Sequence, residues 1–130
     1  MGDVVELSLP VGADLLVLAR LTAATIASRA GFDVEEVEDF RLAVDELCVS
    51  LIHEGSDGLL QLHFTREVDA VEVSCTFDGT PAAEGSDGGD DSIEGLSARI
   101  LDALVDSHGR ETAGGHERAW LRKRRARQEA

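Results

Sequence analysis

The chain has 130 residues, 43% of them hydrophobic, with 26 acidic against 12 basic side chains and a net charge of −14. That length suits one domain with a core of its own, and that composition argues against disorder. So acidic a chain repels nucleic acid, whose binding needs Lys and Arg against phosphates, and no apolar run approaches membrane-spanning length. A cytoplasmic protein is expected, with Cys48 and Cys75 as reduced thiols. The four histidines show no metal-ligand spacing among themselves or with cysteine.

In chain order, Val4–Leu9 alternates and predicts a short strand ended by Pro10. Ala13 to Ala30 carries apolar residues at helical spacing, and Gly31 ends the run. Asp33 and Glu36 form a capping-box pattern that starts a second helix. Val37, Phe40, Leu42, Ala43, Val44, Leu47, Cys48, Leu51 and Ile52 give that helix a broad apolar face expected to be buried.

Gly55 to Gly58 reads as a turn. Leu60, Leu62 and Phe64 then share one face of a strand, and Val71, Val73, Cys75 and Phe77 one face of the next. Residues 78–94 are rich in Gly and Asp and predict a mobile acidic loop. Ile100, Leu101, Leu104 and Val105 mark a third helix, and a final strand runs through Ala119, Trp120 and Leu121. The order β-α-α-β-β-loop-α-β predicts an α+β, two-layer sandwich, mainly antiparallel, with helices on one face. The domain is expected over residues 1–121, with a solvated basic tail over 122–130.

Charge is uneven along the chain. Residues 1–109 hold 23 acidic and 5 basic side chains, a net of −18, whereas residues 110–130 hold 3 and 7, a net of +4. A body of that sign attracts a basic protein partner and speeds the encounter.

Residues 23–54, including Val37-Glu38-Asp39-Phe40-Arg41-Leu42-Ala43-Val44-Asp45-Glu46-Leu47-Cys48, resemble the two N-terminal helices of the bacterial anti-sigma-factor serine kinases. Those belong to a wider family of histidine-kinase-like ATPases. The resemblance implies a homodimer that binds a sigma factor, is countered by an antagonist protein in a stress response, and uses ATP and Mg²⁺ to phosphorylate that antagonist. By the same resemblance Glu46 takes the role of general base. Ser50, one helical turn on, stands where the family has a Mg²⁺-binding Asn. Asp78 and Gly79 stand for an adenine-reading Asp-x-Gly, with the Asp one place late and so expected on the opposite face of the strand from Phe77. Gly95-Leu96-Ser97 stands for the phosphate-facing Gly-x-Gly before the last helix, with Ser97 at the second Gly. Arg20 is the candidate for partner contact.

Three departures from the ATP motifs shift the expectation toward an anti-sigma factor with weak or lost kinase activity. The alternatives are an active serine protein kinase and a small-ligand sensor module.

Overall fold

A computed structural model describes residues 3–52, 57–80, 93–113 and 116–126. Strand β1 (Val4–Pro10) leads through a single 3-10 turn (Ala13–Leu15) into α1 (Leu16–Arg29) and α2 (Val34–Leu51). Then come β2 (Asp57–Arg66), β3 (Ala70–Thr80), α3 (Ile93–Leu104), β4 (Ser107–Ala113) and β5 (His116–Arg124). The five strands form one antiparallel sheet in the order β1-β2-β3-β5-β4. The expected α+β architecture is the one observed.

Parity decides which residues meet the helices. Leu60, Leu62 and Phe64 of β2, Val71, Val73 and Cys75 of β3, and Ala119 and Leu121 of β5 are buried in one cluster with Ala23 and Ile26 of α1 and Phe40, Val44 and Leu47 of α2. Their strand neighbours Gln61, His63, Ser74 and Thr76 take the other face, which no helix of the described residues covers. One apolar set per strand therefore fixes a single buried side.

Local signals set the helix ends. Asp33 accepts a hydrogen bond from the Glu36 backbone N–H, and the Glu36 carboxylate accepts one from the Asp33 N–H, both at 2.8 Å. That reciprocal pair satisfies two donors that an uncapped helix start leaves orphaned. At the end of α1, the Phe32 N–H reaches back to the Ala27 carbonyl and the Gly31 N–H to the Ser28 carbonyl. Closing the helix this way requires Gly31 at φ +87°, which glycine adopts without steric cost.

Several expectations need correction. Leu42, expected on the buried face of α2, is exposed. Asp57 and Gly58 of the expected turn already belong to β2, and the expected loop over 78–94 is shorter, with 78–80 in β3 and 93–94 in α3. The sheet has a fifth strand, β4, in a stretch whose helix-facing residues His108 and Arg110 are polar and hide the alternation. The basic run is also not a solvated tail from residue 122: β5 continues to Arg124, where Arg122 pairs with Glu72 and Ser107 across the sheet and its guanidinium donates to Glu67 at 2.5 Å. Beyond it the Arg125 N–H donates to the Asp69 carbonyl and the Ala126 N–H to Glu36. Residues 55 and 56 of the expected turn, 81–92 of the expected loop and 127–130 of the expected tail lie outside the described residues.

Asp3 ties three elements together, because Arg29 at the end of α1 and Arg66 at the end of β2 both donate to its Oδ2 at 2.9 Å. The hydrogen bond from Arg66, then that from Arg29, lowers its carboxyl from 3.8 to about 2. A folded-state value below the unfolded one means that the link stabilises the fold fully above about pH 4 and is lost as pH falls through about 2. In thermal melts from pH 7 to pH 2, Asp3→Asn should melt lower than wild type at neutral pH. The two curves should converge toward pH 2.

Candidate functional site

The site expected from sequence centres on the second half of α2. Glu46 and Ser50 lie one turn apart on one side of that helix, as their spacing requires. Ser50 is buried, and its hydroxyl donates at 2.8 Å to the Leu47 carbonyl of its own helix. Arg110, reaching over from β4, donates to the Ser50 carbonyl at 3.3 Å and to Glu117 at the same distance. This guanidinium neutralises part of the negative end of the α2 macrodipole.

Ser97 is buried and its hydroxyl donates to the Glu46 carboxylate. Gly95 and Ser97 lie inside α3, which begins at Ile93, and not before it. The contact therefore docks the first turns of α3 onto α2, and the carboxylate expected to serve as a base is held by a neighbouring hydroxyl. Ser97→Ala should leave Glu46 without its donor and lower stability by about 1.5 kcal/mol, read as a shift in urea midpoint at constant slope.

Between these groups is a cavity of about 40 Å³ whose lining includes Leu47, Ser50, Ser97, Leu101, His108 and Arg110. That is roughly the share of liquid volume taken by one water, against several hundred Å³ for an ordinary ligand site. His108 closes one side, with its Nε2 2.7 Å from Asp102 Oδ1 of α3.

Asp78 is not part of this group. The β2–β3 register runs without a break from Asp57↔Thr80 to Arg66↔Val71, so no bulge turns the strand over. Phe77 packs against the core on the helix side, and Asp78 is exposed on the opposite face beside Leu59. Gly79 lies where two backbones nearly touch: a Cβ there would sit 2.2 Å from the Asp57 carbonyl oxygen and 2.5 Å from Gly58 Cα.

The arrangement can be tested against ATP and Mg²⁺. A magnesium ligand needs a free oxygen aimed outward, and the Ser50 hydroxyl is turned back onto its helix. An adenine acceptor must face the helix side, and Asp78 faces away. Among the described residues Glu46, Ser50 and Ser97 come together while Asp78 stands on the other face of the sheet, and no cluster of three or more His, Cys, Asp or Glu side chains is placed to hold a metal ion.

Residues 9–123 match the histidine kinase-like ATPase domain. The chain belongs to that family. It is 30% identical over 122 residues to the serine-protein kinase RsbW of Listeria monocytogenes serotype 4a, an alignment covering 82% of this chain and 78% of that protein. The RsbW serine-protein kinase of Bacillus pumilus is 31% identical over 77 residues, covering 55% of this chain and 48% of its own length. The Bacillus subtilis protein of the same name is 30% identical over 82 residues, covering 60% and 51%. Against the two Bacillus relatives the match thus spans about half their length.

Within the family fold, Arg20 belongs to α1. Its Nε donates to Asp45 Oδ1 at 2.9 Å and joins α1 to α2, with about a third of each side chain still exposed. Cys48 and Cys75 are free, buried thiols on α2 and β3 whose sulfurs lie 4.0 Å apart. Its contact with the Cys75 sulfur, and then burial, push the Cys48 thiol well above its usual pKa, so it is a core packing group rather than a nucleophile. Sequence reasoning missed Arg110 because it missed β4. No apolar alternation marks that strand, and its place beside α2 comes only from pairing with β5.

No helix among the described residues is long and apolar enough to cross a membrane.

Proposed function

We propose that this chain is an anti-sigma factor that works by holding a sigma factor directly, is released by an antagonist protein, and has weak or lost nucleotide chemistry. What supports this reading is the family fold together with two departures at the positions that the resemblance assigns to nucleotide. The Ser50 hydroxyl is spent on Leu47, and Asp78 stands on the helix-free face. What the fold still offers is a surface, and over residues 1–109 that surface is set by a net charge of −18. Sigma factors, as DNA-binding proteins, carry the basic patches that such a field attracts. Arg20, held at the α1–α2 surface, is the proposed contact residue. A cytoplasmic homodimer is part of the reading.

A calorimetric titration with ATP and ADP, with and without Mg²⁺, tests the chemical half. The expected result is no saturable heat at millimolar nucleotide, alongside 1:1 protomer binding to a purified sigma factor that falls steeply with salt. Micromolar, Mg²⁺-dependent ATP binding would overturn the loss of chemistry. That outcome leads to the second reading, an ATP-dependent serine protein kinase acting on the antagonist, which is favoured by the names of the relatives and by the presence of Glu46. Phosphoryl transfer abolished by Glu46→Ala would then identify the base.

A further inference from the structure

We infer that Ser97 is an internal plug: α3 holds the chain's own serine hydroxyl on the Glu46 carboxylate, in the place that a serine of the antagonist protein would take. The antagonist has to displace that hydroxyl and lift the first turns of α3. This rests on the release step proposed above and adds the contact with which the antagonist competes.

A carboxylate beside a serine hydroxyl is the arrangement by which a base draws a proton from an oxygen nucleophile. Here one chain supplies both members. Glu46 is half-buried on α2, and Ser97, 3% exposed, donates to its Oε2. Among the described residues no Lys or Arg pairs with Glu46, and Ser97 supplies its one hydrogen bond. The carboxylate is open to a hydroxyl donor and already has one. Behind the pair, Ser97, Ala98 and Leu101 of α3 wall the cavity of about 40 Å³, with Leu47 and Ser50 across from them. A side chain of a second protein enters only when α3 moves.

The attachment of α3 permits that motion. Of its described side chains only Ser97 and Leu101 are buried, whereas α1 buries five residues and α2 seven. Apolar burial is the main force holding packed helices together, so α3 is the least firmly fixed of the three. Its two ends are also held differently. At the C-terminal end Lys123 Nζ donates to the Leu104 carbonyl at 2.9 Å, and the Asp106 N–H just beyond donates to the Arg122 carbonyl at 3.1 Å. Asp102 adds its contact to His108 of β4. Toward the N-terminal end the polar tie is Ser97 to Glu46. Loss of that bond frees the first turns, and α3 pivots about the end that β5 holds.

The surroundings of Glu46 say what kind of serine fits. Leu42 and Val49, four residues before it and three after, share its side of α2 and are exposed, as is Leu96 beside Ser97. A serine flanked by apolar residues would set its hydroxyl on the carboxylate and its neighbours on these three side chains.

The test first reads Glu46 in the whole protein. Carbodiimide-activated coupling of glycine ethyl ester, followed by peptide mass spectrometry, compares Glu46 with Glu35, an exposed carboxylate of the same helix. Ser97→Ala should raise the labelling rate of Glu46 about tenfold relative to Glu35, the factor that one lost hydrogen bond to a charged group gives the open fraction. Ser97→Thr keeps the hydroxyl and should stay within about twofold of wild type. A second arm titrates purified antagonist protein without nucleotide. Ser97→Ala should bind it about tenfold more tightly, and that gain should vanish when the antagonist's acceptor serine is replaced by alanine. Equal labelling of Glu46 in wild type and Ser97→Ala would overturn the inference and leave the sequestering role standing. So would a gain in affinity that survives loss of the acceptor serine. An antagonist that binds neither form, while Glu46 labelling still rises, would sink the proposed release step and uphold Ser97 as the plug.

Discussion

Phe40→Ala is expected to lower stability by about 3–5 kcal/mol, which for a domain of this size is a fall of roughly 10–20 °C in melting temperature. Phe40 is fully buried at the middle of the inward face of α2 and meets Phe32 edge to face, with centroids 6.1 Å apart and planes at 87°. Removing it forfeits the transfer energy of the ring, that aromatic contact and the packing of everything the ring touches. The upper part of the range applies because α2 has little freedom to collapse into the space. Its start is fixed by the Asp33–Glu36 box and its end by Arg110 on the Ser50 carbonyl. Denaturant unfolding followed by circular dichroism measures the loss. A change under about 1 kcal/mol would mean that α2 slides to fill the gap and is not pinned as described.

Gly79→Ala is expected to cost about 2–3 kcal/mol, whereas Asp78→Ala next to it should stay within about 0.5 kcal/mol. A methyl at 79 meets the Asp57 carbonyl oxygen and Gly58 Cα, both backbone, and neither is the flexible end of a side chain that can turn aside. Gly58 has φ +147°, so the facing strand is itself in a conformation that tolerates no side chain. Asp78 is exposed and has no hydrogen-bond or ion-pair partner among the described residues. The pair of variants separates two roles that the resemblance assigns together. If Asp78 were an adenine acceptor, Asp78→Ala would lower nucleotide affinity by an order of magnitude or more with stability untouched. The expected result is that whatever nucleotide binding exists is unchanged, while Gly79→Ala shifts the unfolding midpoint.

Legibility in the sequence followed the physics of each signal. α2 was readable because its cap and its periodic apolar face are local. β2 and β3 were readable because one face of each is continuously apolar. β4 was not, since its strand character comes from the partner β5: His108 and Arg110 face α3 and the end of α2, where their polar groups find Asp102 and the Ser50 carbonyl. The basic run from Arg122 was misread for a related reason. Arginines look solvated until Glu67, Asp69 and Asp106 are seen to meet that stretch of chain. At the site, the one-turn spacing of Glu46 and Ser50 and the outward parity of Asp78 were written in the chain. The meeting of Ser97 with Glu46, 51 residues apart, was not, because it exists only once α3 has docked.

The strand order has a consequence for how the molecule is made. β5 is synthesised after β3 and β4, yet it lies between them, in the interior of the sheet. While the chain emerges, β1, β2 and β3 can zip into a meander over α1 and α2, but the far edge of β3 keeps an unpaired backbone behind Val71, Val73 and Cys75. β4 has no neighbour at all until residues 116–124 arrive. During that interval the nascent chain carries two open strands with apolar surface beside one of them, a state prone to mispairing between chains on neighbouring ribosomes. Insertion of β5 therefore covers the far edge of β3 and gives β4 its partner in one step.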